Sequence, residues 1–241
     1  MGHPHSNANT VMPDLHWTIP VARWSSWPAA AATPDISFID PLVRRRLSSL
    51  SKMALKVAHD CVGEYRSVRV VFASRHGELR RTGDILGDIA ANRSVSPTAF
   101  SLSVLNAVTG VFGIGRGDRS AATAISSGAE TLGYALLEAH AQYESDSSTP
   151  VLVVYADEPA AAVYGPVDDE IEGGALAILI DAAAPARFAC TIEEGEPASS
   201  TPCFATQSAA VLHCMTQHAR GAWQSQSAGR IWHWAWQGAA A

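Results

Sequence analysis

The segment Thr123-Ala124-Ile125-Ser126-Ser127-Gly128 joins a short apolar run to a helix-like pattern, and a turn of this kind can carry a nucleophile. The run 121–125 predicts a strand, and Ser127 with Glu130 has the spacing of a capping box that opens a helix. Apolar residues then recur at helical spacing: Leu132, Ala135, Leu136 and Ala139. The turn therefore directs residue 125 at a helix N-terminus, where backbone N–H groups and the helix dipole favour a nucleophile or an anion. That position holds isoleucine, which can neither attack a carbonyl group nor ionise.

Two other groups near this turn are candidates for chemistry. Ser126 and Ser127 carry hydroxyl groups, but Ser127 is better explained as the helix cap, and no Ser–His–Asp order surrounds either residue. Arg75, His76 and Glu78 follow a predicted strand and can form a buried polar cluster, in which we expect His76 to be structural rather than catalytic. The turn thus has the geometry of an active site without an evident nucleophile.

The pattern of apolar runs predicts an α/β domain. Five short apolar or β-branched runs are typical of strands: 18–22, 69–73, 121–125, 150–155 and 175–180, with 188–192 as a candidate partner of the last. Helical spacing covers four further stretches: 41–62, 79–91, part of 100–115, and 207–219. Continuous apolar strands that alternate with helices indicate a mixed, mostly parallel sheet that helices cover.

A stripe of tryptophans follows near the C-terminal end of the sequence. Residues 230–237 alternate, which places Trp232, Trp234 and Trp236 on one face of an extended segment. Three exposed tryptophans in a row are unfavourable on a soluble monomer. We expect them to cover a sheet edge or to enter a partner interface. Packing within the chain is the alternative.

The composition argues against several classes of function. The chain has 241 residues, is 47% hydrophobic and carries a formal net charge of −6 at pH 7, so a general nucleic-acid surface is not expected. None of the four cysteines forms a C-x-x-C pair, and no metal site is predicted. No apolar run reaches membrane length, and residues 1–16, expected to be a flexible N-terminus, lack the apolar core of a secretory signal. We therefore expect a cytoplasmic protein.

The order of these motifs resembles the β-ketoacyl synthases. In that family, the turn matching 123–128 carries a cysteine nucleophile at the position of Ile125, followed by small hydroxyl residues and glycine. Matching features lie on both sides: Asn106-Ala107, Gly110, Gly117, Ser120, the strand 151–155, Gly173-Gly174 before 175–180, and Ser51-Lys52-Met53-Ala54 in the early helix. The resemblance covers residues 17–195 and implies a layered, thiolase-like half-fold, equivalent to the N-terminal half of a synthase. Residues 196–241 are then expected to form a C-terminal helix and a Trp-rich extension.

Two departures from the family coincide in this sequence. Ile125 replaces the cysteine, and the second half of a synthase, which supplies two catalytic histidines, has no visible counterpart. The combination resembles the short chain-length-factor-like proteins of aryl polyene and xanthomonadin-type pigment pathways, in which a non-catalytic relative pairs with an active ketosynthase. The resemblance implies a pseudo-enzyme with no catalytic residue, cofactor or metal. Its partners would be a full-length ketosynthase, in a heterodimer, and, transiently, an acyl carrier protein.

The resemblance also assigns residues to these partners. Seven side chains are expected at the ketosynthase interface or in the wall of the acyl pocket: Phe100, Leu102, Val104, Leu105, Asn106, Thr123 and Ile125. Carrier proteins are acidic, so a patch of four basic residues is a candidate docking site for one: Arg44, Arg45, Arg46 and Lys52. Arg80 and Arg81 form a second basic pair. Core packing and a solvated helix face are the plain alternatives for these two sets. The alternative functions are an independent thioester-binding enzyme with a different nucleophile and a structural, self-associating module.

Overall fold

The computed structural model describes residues 15–167, 171–195, 200–226 and 229–238. Its strands are β1 (Leu15–Pro28), β2 (Arg69–Ala73), β3 (Ala122–Ile125), β4 (Val151–Asp157), β5 (Gly174–Ile180), β6 (Ala186–Glu194), β7 (Arg220–Gln224) and β8 (Arg230–Gln237). Its α-helices are α1 (Pro41–Arg44), α2 (Ser49–Val62), α3 (Leu79–Ala90), α4 (Pro97–Ser101), α5 (Ala107–Arg116), α6 (Thr131–Ser145) and α7 (Gln207–Gln217), and a short 3-10 helix spans Ala162–Tyr164. Of the flexible N-terminus predicted for 1–16, residues 1–14 lie outside the described residues, and the last two residues begin β1. Each helix in the described ranges is too short or too polar to cross a bilayer.

The eight strands form one mixed sheet in the order β3-β2-β4-β5-β1-β6-β8-β7. β2 is parallel to β3 and β4, and the other five pairs of neighbours are antiparallel. The α/β class and the mixed sheet are confirmed, but the prediction that most strands are parallel is wrong. A continuous apolar strand indicates only that both of its faces are buried. Helices bury both faces of this sheet, so the pattern does not depend on whether the strands are parallel or antiparallel. The strand predicted at 188–192 also pairs differently, because β6 lies between β1 and β8 and not beside β5.

Helices bury an apolar core on each face of the sheet. α6 and α7 cover one face, where their apolar side chains pack with Trp17, Ile19 and Phe188. α2 and α5 cover the other face, and α2 buries nine of its 14 residues. The hydroxyl groups of Ser49 and Ser51 donate to carboxylates that follow β4 and β2, respectively. The N-terminus of α2 is therefore held at the carboxyl ends of these two strands.

Two of the predicted helices are divided in the structure. The stretch 41–62 contains α1 and α2, because Asp40 caps the first helix and Ser48 caps the second through side-chain oxygens that accept backbone N–H groups. The stretch 100–115 contains the end of α4 and most of α5, which the turn 102–106 separates.

The Trp-rich strand β8 lies inside the sheet. Trp232 and Trp234 are 0% and 1% exposed, and Trp236 is half-buried against the same apolar cluster. β8 pairs with β6 on one side and with β7 on the other. Packing within the chain therefore explains the stripe, and the expected position at a sheet edge or partner interface is wrong.

The two edges of the sheet differ in whether other residues hydrogen-bond to the edge strand. At the β7 edge, the N–H of Ala222 donates to the carbonyl of Pro202 (2.8 Å), and the N–H of Phe204 donates to the carbonyl of Ala222 (2.9 Å). Residues 202–204 thus cover part of that strand. At the other edge, β3 forms its backbone ladder only with β2 among the described residues. The free edge of the sheet therefore belongs to the strand that ends at Ile125.

Candidate functional site

Three parallel strands end together at one edge of the sheet. Ala73 of β2 lies beside Ile125 of β3 and Tyr155 of β4, and Asp157 is the last residue of β4. The carboxyl ends of parallel strands are where α/β sheets usually carry their sites. Ile125 is half-buried and packs against the core cluster beneath α6. It ends β3 just before the turn into α6, as the sequence predicts.

The turn between Ile125 and α6 differs from the predicted capping box. α6 begins at Thr131, whose hydroxyl accepts the N–H of Ser127 (2.8 Å) and donates to the carbonyl of Gly128 (2.7 Å). Gly128 has a φ of +58°, a conformation that favours glycine. No side chain caps α6 at its N-cap residue, and Ser127 is exposed. The predicted role of Ser127 as the helix cap is therefore wrong.

Glu130, the second member of the predicted capping box, binds the C-terminal part of the chain instead. Its carboxylate accepts hydrogen bonds from Trp232 Nε1 (3.0 Å) and Arg230 Nη2 (2.6 Å). Gln207 Oε1 accepts the N–H of Gly133 (2.8 Å), one of the first N–H groups of α6, which have no acceptor within the helix. The N-terminus of α6 is thus held by side chains that lie 74 to 102 residues away in sequence.

A second carboxylate, that of Asp157, is 0% exposed at the end of β4. It accepts hydrogen bonds from Ser74 Oγ (3.0 Å), from the N–H of His76 (3.0 Å) and from the N–H of Arg75. Ser74 Oγ in turn accepts the N–H of Gly77 (2.8 Å). The carboxylate therefore fixes the turn that follows β2. Burial raises the pKa of the Asp157 carboxyl above its ordinary value, although these donors favour the ionised form.

Glu78 belongs to a separate polar cluster. Its Oε1 accepts hydrogen bonds from the hydroxyl groups of Ser48 and Ser51 (2.6 Å each), and its Oε2 accepts one from Arg81 Nε (3.1 Å). The polar residues predicted to cluster at 75–78 are thus divided. Asp157 holds the backbone at the start of this turn, whereas Glu78 ties the start of α3 to the N-terminus of α2.

We expect acid to stabilise the wild-type protein relative to an Asp157→Asn variant. Because the pKa of Asp157 is higher in the folded than in the unfolded protein, its contribution is fully present below the unfolded-state pKa and is lost as pH rises through the folded-state pKa. The free energy of unfolding of wild type minus that of Asp157→Asn should therefore decrease from acidic to neutral pH. Urea unfolding across this range measures the difference, and an increase with pH would contradict the raised pKa.

The two serines of the turn are not arranged as a Ser–His pair in the described ranges. Ser126 Oγ donates to the carbonyl of Arg75 (3.0 Å), Ser127 is exposed, and neither hydroxyl is bonded to a histidine in the described ranges. Burial raises the pKa of Cys61 and of Cys214 to about 12, which keeps these thiols protonated and unreactive. In the same part of the chain, no three His, Cys, Asp or Glu side chains are grouped to hold a metal ion.

The seven residues assigned to a partner interface lie on two neighbouring parts of the fold. Thr123 and Ile125 are half-buried on β3. The other five lie at the end of α4 and in the turn that follows it: Phe100 in α4, and Leu102, Val104, Leu105 and Asn106 between α4 and α5. Phe100 and Val104 are 62% and 46% exposed, and α5 packs against β3. The second group thus leads directly into α5, the helix that packs against the strand with the free edge.

The basic residues near α1 and α3 form one surface. Arg81 Nη2 donates to the carbonyl of Arg46 (3.0 Å), which places the second basic pair beside residues 44–46. Exposure differs within the set: Arg45, Arg46 and Arg80 are exposed, and Arg44 and Lys52 are half-buried. Residues 44–46 and Lys52 form no ion pair with any other described residue. Their positive charge is therefore not neutralised by this part of the chain.

Comparisons with known proteins give a family and a set of similar folds. Residues 17–237 match the family model described as Beta-ketoacyl synthase, N-terminal domain. No curated protein matches the chain in sequence. Among solved structures, the chain is similar to a chain in the complex of the ketosynthase ApeO with its chain length factor ApeC from Xenorhabdus doucetiae. The TM-score is 0.75 at 22% sequence identity, and the match covers 91% of this chain and 99% of that chain. The ishigamide ketosynthase/chain length factor gives a TM-score of 0.66, 12% identity and coverages of 92% and 99%.

A third solved structure shows how much of a synthase the chain represents. A β-ketoacyl synthase from Burkholderia phymatum matches with a TM-score of 0.51 and 15% identity, over 73% of this chain and 54% of that one. The family model spans nearly all of the described strands and helices, from β1 to the last residue of β8. These similarities confirm the thiolase-like half-fold that the sequence implies. The chain belongs to the β-ketoacyl synthase family and corresponds to its N-terminal domain.

Proposed function

We propose that this chain is a non-catalytic, chain-length-factor-like subunit that pairs with a full-length ketosynthase. Its setting would be cytoplasmic type II polyketide or fatty-acid-like biosynthesis of the aryl polyene kind. Two of the similar solved structures are complexes of a ketosynthase with a chain length factor, and 99% of each matched chain is covered. The matched chains are therefore about as short as this one. A subunit of this kind would complete a heterodimer and shape the acyl pocket of its partner.

The observation that carries the proposal is the free edge of β3. The carbonyl groups of Ala121 and Ile125 accept the N–H of Val70 in β2 and the N–H of Ser74 directly after it. Because backbone groups alternate in direction along a strand, the N–H and C=O groups of Ala122 and Ala124 point away from β2. Their small side chains let another strand approach and continue the sheet. The resemblance to ketosynthases implies the same contact, because this strand pairs across the dimer in that family.

The turn between α4 and α5 is suited to form a wall of the partner's acyl pocket. Phe100 of α4 and Val104 of the turn expose large apolar side chains just before α5, the helix that packs against β3. A wall discriminates acyl chains by volume, at about 1–3 kcal/mol per methylene group, and needs no reactive group. This passive role agrees with an isoleucine at position 125, where the family resemblance places a nucleophile.

Co-expression with a ketosynthase encoded beside this chain tests the proposal. Size-exclusion chromatography should show one complex that contains both chains in equal amounts, and the pair should make a polyene product that the ketosynthase alone does not make in full. Failure to form this complex, with full polyene synthesis in the absence of the chain, would overturn the proposal. A stable homodimer that ignores the ketosynthase would instead favour the self-associating module.

We expect an Ile125→Cys variant of the isolated chain to remain inactive in condensation. A thiolate can hold an acyl group, but the resemblance assigns two further catalytic histidines to the half of a synthase that residues 1–241 do not resemble. Incubation with acyl- and malonyl-carrier protein, followed by mass spectrometry, should show no condensed product. Condensation by this single variant would mean that the chain holds a complete active site, contrary to the proposal.

We further propose that the patch of residues 44–46 and Lys52 docks an acidic acyl carrier protein. In the heterodimer, the double variant Arg45→Glu/Arg46→Glu should weaken carrier binding about tenfold at low salt, and the difference should shrink as salt screens the charges. Thermal stability should not change, because both side chains are exposed and unpaired among the described residues. Surface plasmon resonance measures the affinity, with Arg66→Glu before β2 as the matched charge reversal. An equal effect of both changes would contradict docking at this patch.

A further inference from the structure

A cleft of about 200 Å³ lies between α7 and the end of the sheet where β5 begins. We propose that this cleft binds the hydrocarbon chain of an uncharged acyl group, as in a medium-chain thioester or ester. The inference goes beyond the proposed function, because the ligand binds within this chain and its binding does not require a ketosynthase. α7 lies outside residues 17–195, and the family resemblance assigns no role to it.

The positions of the helices and two glycines leave this cleft open. α6 packs most closely on β2 and β4, and α7 on β7 and β8, so β5 lies between the strands that the two helices cover. At the start of β5, Gly173 and Gly174 line the cleft without a side chain to fill it, and their φ values of +83° and +122° favour glycine. A Cβ atom at Gly174 would lie 2.8 Å from the carbonyl oxygen of Trp27. The backbone at this end of the sheet therefore maintains the cleft.

The interior of the cleft is mostly apolar. Its most buried side chains are those of Tyr155 and Leu176, which are 7% and 1% exposed, and α7 contributes Ala209 and Leu212. Protein interiors leave few voids larger than one water molecule, and this volume is several times larger. Since an apolar cavity of about 150 Å³ accommodates benzene, the cleft has room for roughly six to eight carbon atoms. This size fits an alkyl chain.

Polar groups at the mouth favour an acyl group without charge. Ser26 and Glu172 are exposed, and Ser208 is half-buried, so all three reach solvent. The two hydroxyl groups are donors that suit a carbonyl oxygen. The carboxylate of Glu172 would repel that of a free fatty acid, and none of the described residues that line the cleft is basic. A thioester or ester carbonyl therefore fits the mouth better than a free acid does.

The strand register separates the cleft from the surfaces proposed for the ketosynthase. One row of residues crosses the sheet on the face that α6 and α7 cover: Ile125, Ala73, Tyr155, Leu176 and Ser26. Neighbouring strands lie about 4.8 Å apart, so Leu176 is about 14 Å from Ile125. The cleft thus opens at the same end of the sheet as the turn after Ile125, but three strands away from the free edge.

Calorimetric titration of the isolated full chain with octanoyl-N-acetylcysteamine, an uncharged thioester, tests the inference. This probe should bind at least about tenfold more tightly than acetyl-N-acetylcysteamine, because only the longer chain buries a row of methylene groups. It should also bind at least about threefold more tightly than octanoate, which Glu172 repels. Titration with ethyl octanoate shows whether a thioester or an ester is the better ligand.

Three variants locate the bound probe. Ala209→Phe should weaken binding of the octanoyl thioester at least about tenfold, because the ring occupies the cleft. Ala141→Phe, on the exposed side of α6 near its C-terminal end, is the matched control and should leave the Kd within about twofold. Glu172→Gln should strengthen binding of octanoate about threefold and leave that of the thioester unchanged. If circular dichroism shows that Ala209→Phe is unfolded, Ser208→Trp at the mouth decides by the same criterion.

Several results would overturn the inference. Equal affinity of the wild type and Ala209→Phe would place the probe outside the cleft, and equal affinity for the octanoyl and acetyl thioesters would mean that no alkyl chain is bound. Absence of binding at millimolar concentration, or tighter binding of octanoate than of the thioester, would also contradict it. None of these results bears on the proposed function, which is decided by co-expression with the ketosynthase.

Discussion

An Ala124→Pro variant should fold normally but lose its ketosynthase partner. Ala124 lies within β3, and its N–H points away from β2, so the ladder between the two strands does not use it. Proline removes this N–H and places its ring where a partner strand would lie, a position that edge strands tolerate. We expect the affinity to fall about 100-fold, which corresponds to roughly 2.8 kcal/mol of binding free energy. The free energy of unfolding should stay within about 1 kcal/mol of wild type.

Ala124→Ser is the matched control for this prediction. It keeps the N–H and a small side chain at the same point of β3, so its Kd should stay close to that of the wild type. Calorimetric titration gives the two affinities, and urea unfolding gives the two stabilities. If Ala124→Pro binds as tightly as Ala124→Ser, the partner does not add a strand at this edge. The pairing proposed here would then be wrong.

The strands that carry the site can be predicted because each is a short, continuous apolar run between turn residues. The sequence predicts 69–73 with the bounds that β2 has in the structure, and the run 121–125 begins one residue before β3. Such runs must be buried, and a buried run of four to seven residues is too short for most helices. The position of Ile125 at a strand-to-helix turn follows from this local pattern alone.

Strand direction and strand order do not follow from the same pattern. A strand buried on both faces has the same sequence character whether its neighbours are parallel or antiparallel, which is why the share of parallel strands is overestimated. β1 shows a related difficulty. It spans 14 residues, but its register shifts between Val21 and Arg23, and exposed side chains follow, so the sequence indicates only 18–22.

The N-terminus of α6 shows how distant contacts override a local signal. Ser127 and Glu130 have the capping-box spacing, yet the Glu130 carboxylate accepts hydrogen bonds from the Arg230 guanidinium and the Trp232 indole. The charge-assisted bond from Arg230 is stronger than a bond from a neutral backbone N–H group. Those donors lie 100 and 102 residues away, and a window of a few residues carries no information about them. The alternation of β8 shows only that one of its faces needs burial. Gln207, the first residue of α7, accepts the N–H of Gly133 in α6, and no local sequence pattern predicts this contact.

Trp232→Ala should be the most destabilising change around α6. The side chain is 0% exposed, stands edge-on to Trp17 and Tyr134 at ring-centroid distances of 6.0 and 5.2 Å, and donates from Nε1 to Glu130. Its ring also occupies space beside Gly133, where a Cβ atom would lie only 2.3 Å from it. Truncation leaves a large cavity and removes a donor from a buried carboxylate. We expect the free energy of unfolding to fall by about 3–5 kcal/mol, measured by urea unfolding.

Two further variants separate the contacts of Trp232 from its place on the strand. Trp236→Ala removes the same type of side chain from the same face of β8. Trp236 is only half-buried, and its ring lies 5.2 Å from that of His218 and 6.5 Å from that of Phe188. We therefore expect the free energy of unfolding to fall by only about 1–2 kcal/mol. Trp232→Phe keeps a smaller aromatic ring in the core but removes the donor to Glu130 together with part of the indole, at a cost of at least about 1–2 kcal/mol. Equal losses for the two alanine variants would contradict the role of Trp232 in fastening α6 to β8. The position on the strand, and not the contacts with α6, would then determine stability.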